Sequence, residues 1–129
     1  MTSVRLHATG PVHPDEAWDR YLHPARWSDW SPQIRGVLTD AVRIDPGVTG
    51  RVQGPLGVSV PFVVDAVDDE AREWTWSVDI GPGTLVLVHW VRPGPGGGTT
   101  TGLRVSGPLP LVVGYLALAQ VALQRLVRR

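Results

Sequence analysis

The stretch that decides the fold reads Arg26-Trp27-Ser28-Asp29-Trp30-Ser31-Pro32 and places two of the six tryptophans three residues apart. Side chains at this spacing lie on one face of a helical turn. Pro32 disfavours helical backbone at Ser31, so we expect the turn to end there. The stretch therefore predicts a short helix that buries two indoles. They either anchor the helix to the rest of the fold or line the mouth of a cavity, and we favour anchoring because large aromatic side chains dominate small cores.

Upstream of this stretch the sequence predicts one strand and one further helix. Residues 3–9 alternate between apolar and polar side chains, as a half-buried strand does. Pro14-Asp15-Glu16 places a proline at a first helical position and two acids near the positive end of the helix dipole. Apolar residues at helical spacing extend this helix to about His23.

Downstream of Pro32 the pattern changes to strands separated by Gly- and Pro-rich turns. The predicted strands cover residues 36–44, 49–53, 58–66, 73–79, 84–92 and 99–106. Pro61, inside the third of these, indicates an edge strand or a bulge. The clearest alternation puts Trp74, Trp76 and Val78 on one face of the fourth.

A long C-terminal helix is predicted from Leu109 to Arg129. Its polar stripe is narrow, and a helix this apolar around its circumference should be covered on more than one side. The apolar stretch from Leu109 to Leu123 is shorter than the ~20 residues of a membrane span. We therefore expect a buried helix and no transmembrane span.

The composition indicates one folded domain, residues 1–129, and narrows its class. Hydrophobic residues make up 43% and charged residues 19%, as in folded globular proteins. The formal net charge is zero, which gives no general attraction for nucleic acid. The chain has no cysteine, which excludes disulfides and thiolate chemistry. The first ten residues contain no apolar run of the secretory type, so a cytoplasmic location is expected.

The order of these elements resembles the START-like helix-grip superfamily (SRPBCC), and within it the polyketide cyclase/dehydrase branch. Members commonly carry a Trp, often a second Trp, and a Pro just after the first helix. The matching residues in this chain, together with three further family-like positions, are Trp18, Trp27, Trp30, Pro32, Trp76, Gly98-Thr99 and Gly107-Pro108-Leu109.

The resemblance implies an α+β fold in which a curved antiparallel sheet of about seven strands wraps around the long C-terminal helix. Two short helices follow the first strand, and a cavity lies between sheet and long helix. The family binds lipids, sterols, polyketides or other apolar molecules, and some members catalyse cyclisation or dehydration inside the cavity. Many relatives continue the last helix into a longer polar tail. Because this chain does not, we expect a less shielded helix and a homodimer through it.

His89 is the titratable residue of greatest interest, because it lies in a strand whose two faces are almost equally apolar. The length of the preceding turn decides which face it occupies. An even-numbered turn around Pro82-Gly83 places His89 on the face of Trp74 and Trp76, and an odd-numbered turn places Trp90 there. We favour His89, since two- and four-residue turns are common. A histidine in a cavity acts as acid or base, or only satisfies a polar contact.

Three functions remain open from the sequence. The first is binding of a small apolar ligand, namely a lipid, a polyketide or another aromatic or isoprenoid molecule. The second is a polyketide cyclase or dehydrase with His89 as its catalytic acid/base, and the third is an interaction module with a collapsed cavity. No metal-ligand spacing and no cofactor motif are found, so neither a metal nor a cofactor is predicted. The predicted ligand-binding residues are Phe62, Trp74, Trp76, His89 and Tyr115.

Overall fold

The computed structural model describes residues 2–129, which form seven strands and three α-helices. The helices are α1 (Pro14–Leu22), α2 (Trp27–Trp30) and α3 (Leu109–Val127). Short 3-10 turns lie at Pro24–Arg26, Pro55–Gly57 and Pro95–Gly97. The strands are β1 (Thr2–Gly10), β2 (Gly36–Leu38), β3 (Thr49–Gln53), β4 (Ser59–Asp68), β5 (Glu73–Asp79), β6 (Thr84–Pro93) and β7 (Thr99–Gly107).

The strands of residues 2–129 form one antiparallel sheet in the order β1-β7-β6-β5-β4-β3-β2. Every pair except β1–β7 joins neighbours in the chain, and β1 closes against β7 at one edge. The long helix α3 packs against β1 and β7 on the concave face of this curved sheet. The predicted helix-grip fold, with two short helices after the first strand, is confirmed.

The two tryptophans of α2 cap the end of α1. A helix leaves the carbonyls of its last turn without intrahelical donors. For the Arg20 carbonyl the helical donor would be residue Pro24, which has no N–H. The indole N–H of Trp30 donates to Arg20 O instead, at 3.1 Å, and that of Trp27 donates to Tyr21 O at 2.9 Å. Both indoles therefore lie against α1, as anchoring requires.

The end of α3 is tied back to α1. Arg20 donates two hydrogen bonds of 2.6 Å, one to the carbonyl of Leu126 and one to the carbonyl of Arg128. The backbone becomes extended at Arg128. The helix thus ends at Val127 rather than at the predicted Arg129, because its last carbonyls accept from the Arg20 side chain and the Val12 N–H instead of from further turns.

The turn between β5 and β6 orients His89. Asp79 pairs with Thr84, so four residues (80–83) connect the strands. With this even number, His89 lies directly opposite Trp74 in the register. His89 is 2% exposed. It is therefore His89, and not Trp90, that faces the concave side.

The strand β4 departs from its predicted pattern in two ways. Pro61 lies in an interior strand rather than at an edge, and pairing with β5 begins only at Phe62, so nothing on that side needs its missing N–H. A register shift between Val64 and Ala66 then leaves Ala66 exposed and packs Val67 against the core. The alternation predicted through Ala66 is thus wrong beyond Val64.

The strand predicted over residues 36–44 is also too long, because β2 ends at Leu38. The backbone then leaves the sheet, and the Ile44 N–H donates to Leu22 O at the end of α1, at 2.9 Å. Ile44 is fully buried there. The chain thus gives up strand pairing where this apolar side chain is buried beside α1.

The two halves of α3 are covered differently. Ala119, Leu123 and Leu126 in the second half are buried, whereas Val113 and Leu118 are 58% and 42% exposed. Within residues 2–129, the expectation that the whole helix is covered on more than one side is therefore wrong. In this described part, α3 is the one helix long and apolar enough to cross a membrane. The core helix of a globular fold has the same length and composition, and α3 packs on the sheet.

Candidate functional site: an apolar cavity

A cavity of about 240 Å³ lies between the concave face of the sheet and α3. Four strands, β3 to β6, supply its floor through short aliphatic side chains and one indole: Val52, Val60, Trp76, Val78, Leu85 and Leu87. Strand side chains alternate between faces, so these residues share the parity that also buries Trp74. The floor is apolar because the sheet presents its apolar face to the helix.

The remaining walls come from the loops and from α3. Trp30 ends α2, Ile34 lies in the loop between α2 and β2, and Tyr115 belongs to α3. Pro55 and Val58, in the β3–β4 connection, border the cavity and are exposed. The cavity therefore reaches solvent beside this connection.

Three of the five predicted ligand-binding residues border the cavity, namely Trp76, His89 and Tyr115. Phe62 and Trp74 also face inward and are buried, but they do not form part of its wall. Both pack against the Trp27 indole, with ring centroids 5.5 Å and 5.6 Å away. These two side chains support the wall from behind.

A chain of hydrogen bonds holds His89 in one tautomer. The indole N–H of Trp76 can only donate, so the Nε2 atom of His89, 3.0 Å away, accepts. The proton of the neutral ring is then on Nδ1, which donates to the Tyr21 hydroxyl at 3.2 Å. That hydroxyl donates to Thr101 Oγ1 at 2.8 Å, and Thr101 donates to the carbonyl of Trp90 at 2.8 Å.

Burial lowers the pKa of His89 to about 3. Protonation of Nε2 would also set an N–H against the N–H of Trp76. The ring is therefore neutral near pH 7 and both of its nitrogens are engaged, which does not favour the predicted acid/base role. Among the residues that the structure describes, no three His, Asp or Glu side chains come together as a metal site requires.

Gln33 and Tyr115 bring polar groups to a wall whose other polar side chains are Ser31 and His89. Across residues 2–129, the Oε1 atom of Gln33 is one of two buried side-chain polar atoms without a hydrogen-bond partner. Burial raises the pKa of the Tyr115 hydroxyl to about 12, and the Gln33 side chain offsets part of this rise. Tyr115 therefore keeps its proton at neutral pH.

Several cavity residues were not singled out from the sequence. Val60 and Val78 share the strand parity of Phe62 and Trp76, so the alternation already carried the signal for them. Gln33 lies in an irregular loop, where no periodicity tells which way a side chain points. Its place at the cavity follows only from the path of the chain after α2.

The whole chain, residues 1–129, matches the family model described as polyketide cyclase/dehydrase and lipid transport. The chain belongs to this family. The predicted membership of the SRPBCC superfamily is thereby confirmed. No curated protein sequence matches the chain.

Solved structures share the fold of this polyketide cyclase/dehydrase and lipid transport family member at low sequence identity. Ara h 8.0201 has a TM-score of 0.75 at 13% identity, with 97% of this chain and 94% of the other covered. The protein XoxI from Bacillus cereus has a TM-score of 0.73 at 20% identity, with coverage of 98% and 96%. A protein from Nitrosomonas europaea has a TM-score of 0.72 at 17% identity, with coverage of 96% and 90%. Family and fold together support ligand binding in a cavity.

Proposed function

We propose that residues 1–129 act as one domain that binds a small, largely apolar molecule in the cavity between sheet and α3. A lipid, a polyketide or another aromatic or isoprenoid molecule has this chemistry. The observation that carries the proposal is the cavity of about 240 Å³ walled almost entirely by apolar side chains. Its volume also argues against an interaction module with a collapsed cavity.

Apolar burial would supply most of the affinity. Removing apolar surface from water contributes roughly 25 cal/mol per Å². Ligand sites typically combine such walls with a few polar groups that orient the ligand. This cavity has that composition, with Ser31, Gln33, His89 and Tyr115 as its polar side chains. Because α3 and the sheet hold the walls of the cavity in place, the protein loses little conformational entropy when a ligand binds.

The experiment is a panel of lipids, aromatic polyketides and isoprenoids, scored by melting temperature and by tryptophan fluorescence. Trp30 and Trp76 border the cavity, so a bound ligand changes their emission. We expect at least one class to raise the melting temperature in a concentration-dependent manner. The absence of any response across the panel would overturn the proposal.

A matched pair of variants locates the binding. Val60→Phe adds a ring to a side chain that lines the cavity, whereas Val63→Phe adds the same ring to the opposite face of β4. We expect Val60→Phe to weaken binding by tenfold or more and Val63→Phe to leave it unchanged. Equal affinities in the two variants would place the ligand elsewhere.

Two further expectations remain proposals. A homodimer through α3 is supported by the exposed apolar residues of its first half, Leu109, Val113 and Leu118. Sedimentation over a range of concentrations tests it, and a strict monomer would contradict it. The cytoplasmic location is tested by fractionation of the host cell.

A further inference from the structure

The cavity has an uncharged wall, which restricts what it accepts. Within residues 2–129, none of the side chains that border it belongs to Asp, Glu, Lys or Arg. Its two titratable residues are His89 and Tyr115, and burial keeps both neutral at pH 7. A carboxylate or ammonium group placed inside would lose its hydration without gaining a counter-charge. A charged ligand is thus disfavoured.

The wall nevertheless contains one polar atom that needs a partner. Gln33 Oε1 accepts no hydrogen bond from residues 2–129, and buried polar groups without partners are uncommon in folded proteins. Neighbouring atoms cover it in this structure. Gln33 already borders the cavity, and the terminal torsion of glutamine is broad, so its amide can turn to meet a ligand. His89 cannot serve instead, because Trp76 and Tyr21 occupy both of its ring nitrogens.

The Gln33 amide and the Tyr115 hydroxyl form a complementary pair. The amide oxygen accepts, and the phenol donates and accepts. A ligand hydroxyl can donate to the amide oxygen and accept from the phenol. If the amide is turned so that its NH₂ group faces the ligand, the hydroxyl accepts from the amide and donates to the phenol oxygen. A carbonyl or ether can only accept, so it would leave Oε1 without a donor.

We propose that the cavity takes an uncharged, otherwise apolar molecule whose single hydroxyl group is bound by Gln33 and Tyr115. This inference rests on the proposed function and names the ligand class of the same site. The volume of about 240 Å³ sets the size. It lies just below the range of ~300–1,000 Å³ for sites of drug-sized ligands, so a two-ring compound is a suitable probe.

The experiment compares three probes of one ring system at pH 7.5 by calorimetry. They are 2-naphthol, 2-methylnaphthalene and 2-naphthoate, which differ in carrying a hydroxyl, a methyl or a carboxylate group. We expect 2-naphthol and 2-methylnaphthalene to bind and 2-naphthoate to bind at least tenfold more weakly than 2-naphthol. Tightest binding by 2-naphthoate would overturn the inference.

The variant Gln33→Met keeps the length of the side chain and removes its amide. We expect it to weaken 2-naphthol about tenfold, as the loss of one hydrogen bond does, and to leave 2-methylnaphthalene unchanged or tighter. Tyr115→Phe should act in the same direction. Gln124→Met, on the exposed side of α3, is the matched control and should change neither affinity.

The outcomes separate the two proposals. If both neutral probes bind wild type and Gln33→Met with unchanged affinities, the hydroxyl assignment fails while cavity binding stands. If neither neutral probe binds wild type, the hydroxyl inference fails for this ring size. Cavity binding then fails only if the wider panel is also without response. Circular dichroism and the melting temperature verify that each variant is folded.

Discussion

The interior of this protein has two apolar ends. One is closed, because aromatic rings fill it, and the other is open, because it contains the cavity. The closed end consists of the buried rings of Tyr21, Trp27, Phe62 and Trp74, which contact one another. The open end is the cavity, whose floor is mainly Val and Leu. Trp76 and His89 form the boundary between them, since both touch the closed end and border the cavity.

The difference comes from what the helices deliver to each end. At the closed end, α1 and α2 insert rings onto the sheet, and centroids lie 5.6 Å apart for Trp27–Trp74 and 4.8 Å for Trp74–His89. At the open end, within residues 2–129, the helices contribute two rings to the cavity wall, Trp30 from α2 and Tyr115 from α3, and the floor is mainly Val and Leu. Short aliphatic side chains cannot fill that space. Side-chain volume, and not polarity, thus decides where the cavity lies.

The largest expected effect is the loss of a ring from the closed end. Trp27 is fully buried and also caps the Tyr21 carbonyl, so Trp27→Ala should lower the free energy of unfolding by about 3–5 kcal/mol. Trp90→Ala, on the outer face of the sheet, is the control and should cost clearly less. Urea denaturation measures both. Similar losses at the two positions would mean that the closed end is not the packed core of the fold.

The second prediction concerns the boundary and is a dependence on pH. The folded pKa of His89 lies at about 3, below its ordinary value of 6.5, so below pH 6.5 the unfolded chain takes up a proton that the folded chain refuses. The contribution of the neutral His89 to stability is fully present above pH 6.5. Below that, the free energy of unfolding should fall by about 1.4 kcal/mol per pH unit down to pH 3. His89→Gln should flatten this slope.

The exposed His7 supplies the control for that slope. His7→Gln should leave the pH dependence of unfolding as it is in wild type, because His7 lies on the solvent side of β1. The three proteins differ only at the substituted histidine, so differences between their curves report on that residue. Identical curves for wild type and His89→Gln would show that the buried ring is not held neutral.

The smallest effect separates two stacked indoles, Trp76 at the boundary and Trp74 in the closed end. Trp76 donates to His89, whereas the indole N–H of Trp74 is buried without a partner among residues 2–129. Trp76→Phe leaves the His89 acceptor unsatisfied, while Trp74→Phe removes an unsatisfied donor. We expect Trp76→Phe to cost about 1–2 kcal/mol more, as measured by thermal unfolding. The reverse order would contradict the hydrogen-bond scheme of His89.

Much of the fold could be predicted because its signals are local. The Trp27/Trp30 spacing and Pro32 predict α2, and strand alternation predicts the face that buries Trp74 and Trp76. Both rest on periods of the backbone itself, which neighbouring residues reveal. The exceptions have tertiary causes. Ile44 leaves the sheet to pack on α1, and β4 contains a register shift after Val64 that its alternation does not show.

The sequence by itself determined the order of the elements and the apolar face of the sheet, since these follow from periodicity, and its resemblance to known members indicated the family. Only the tertiary structure decided which inward residues border empty space, because that depends on volumes brought together from distant segments. It placed Phe62 and Trp74 behind the wall and Gln33 in it. Both tryptophans that are conspicuous in the sequence cap α1, but Trp27 fills the closed end whereas Trp30 borders the cavity, a difference that their shared spacing does not reveal.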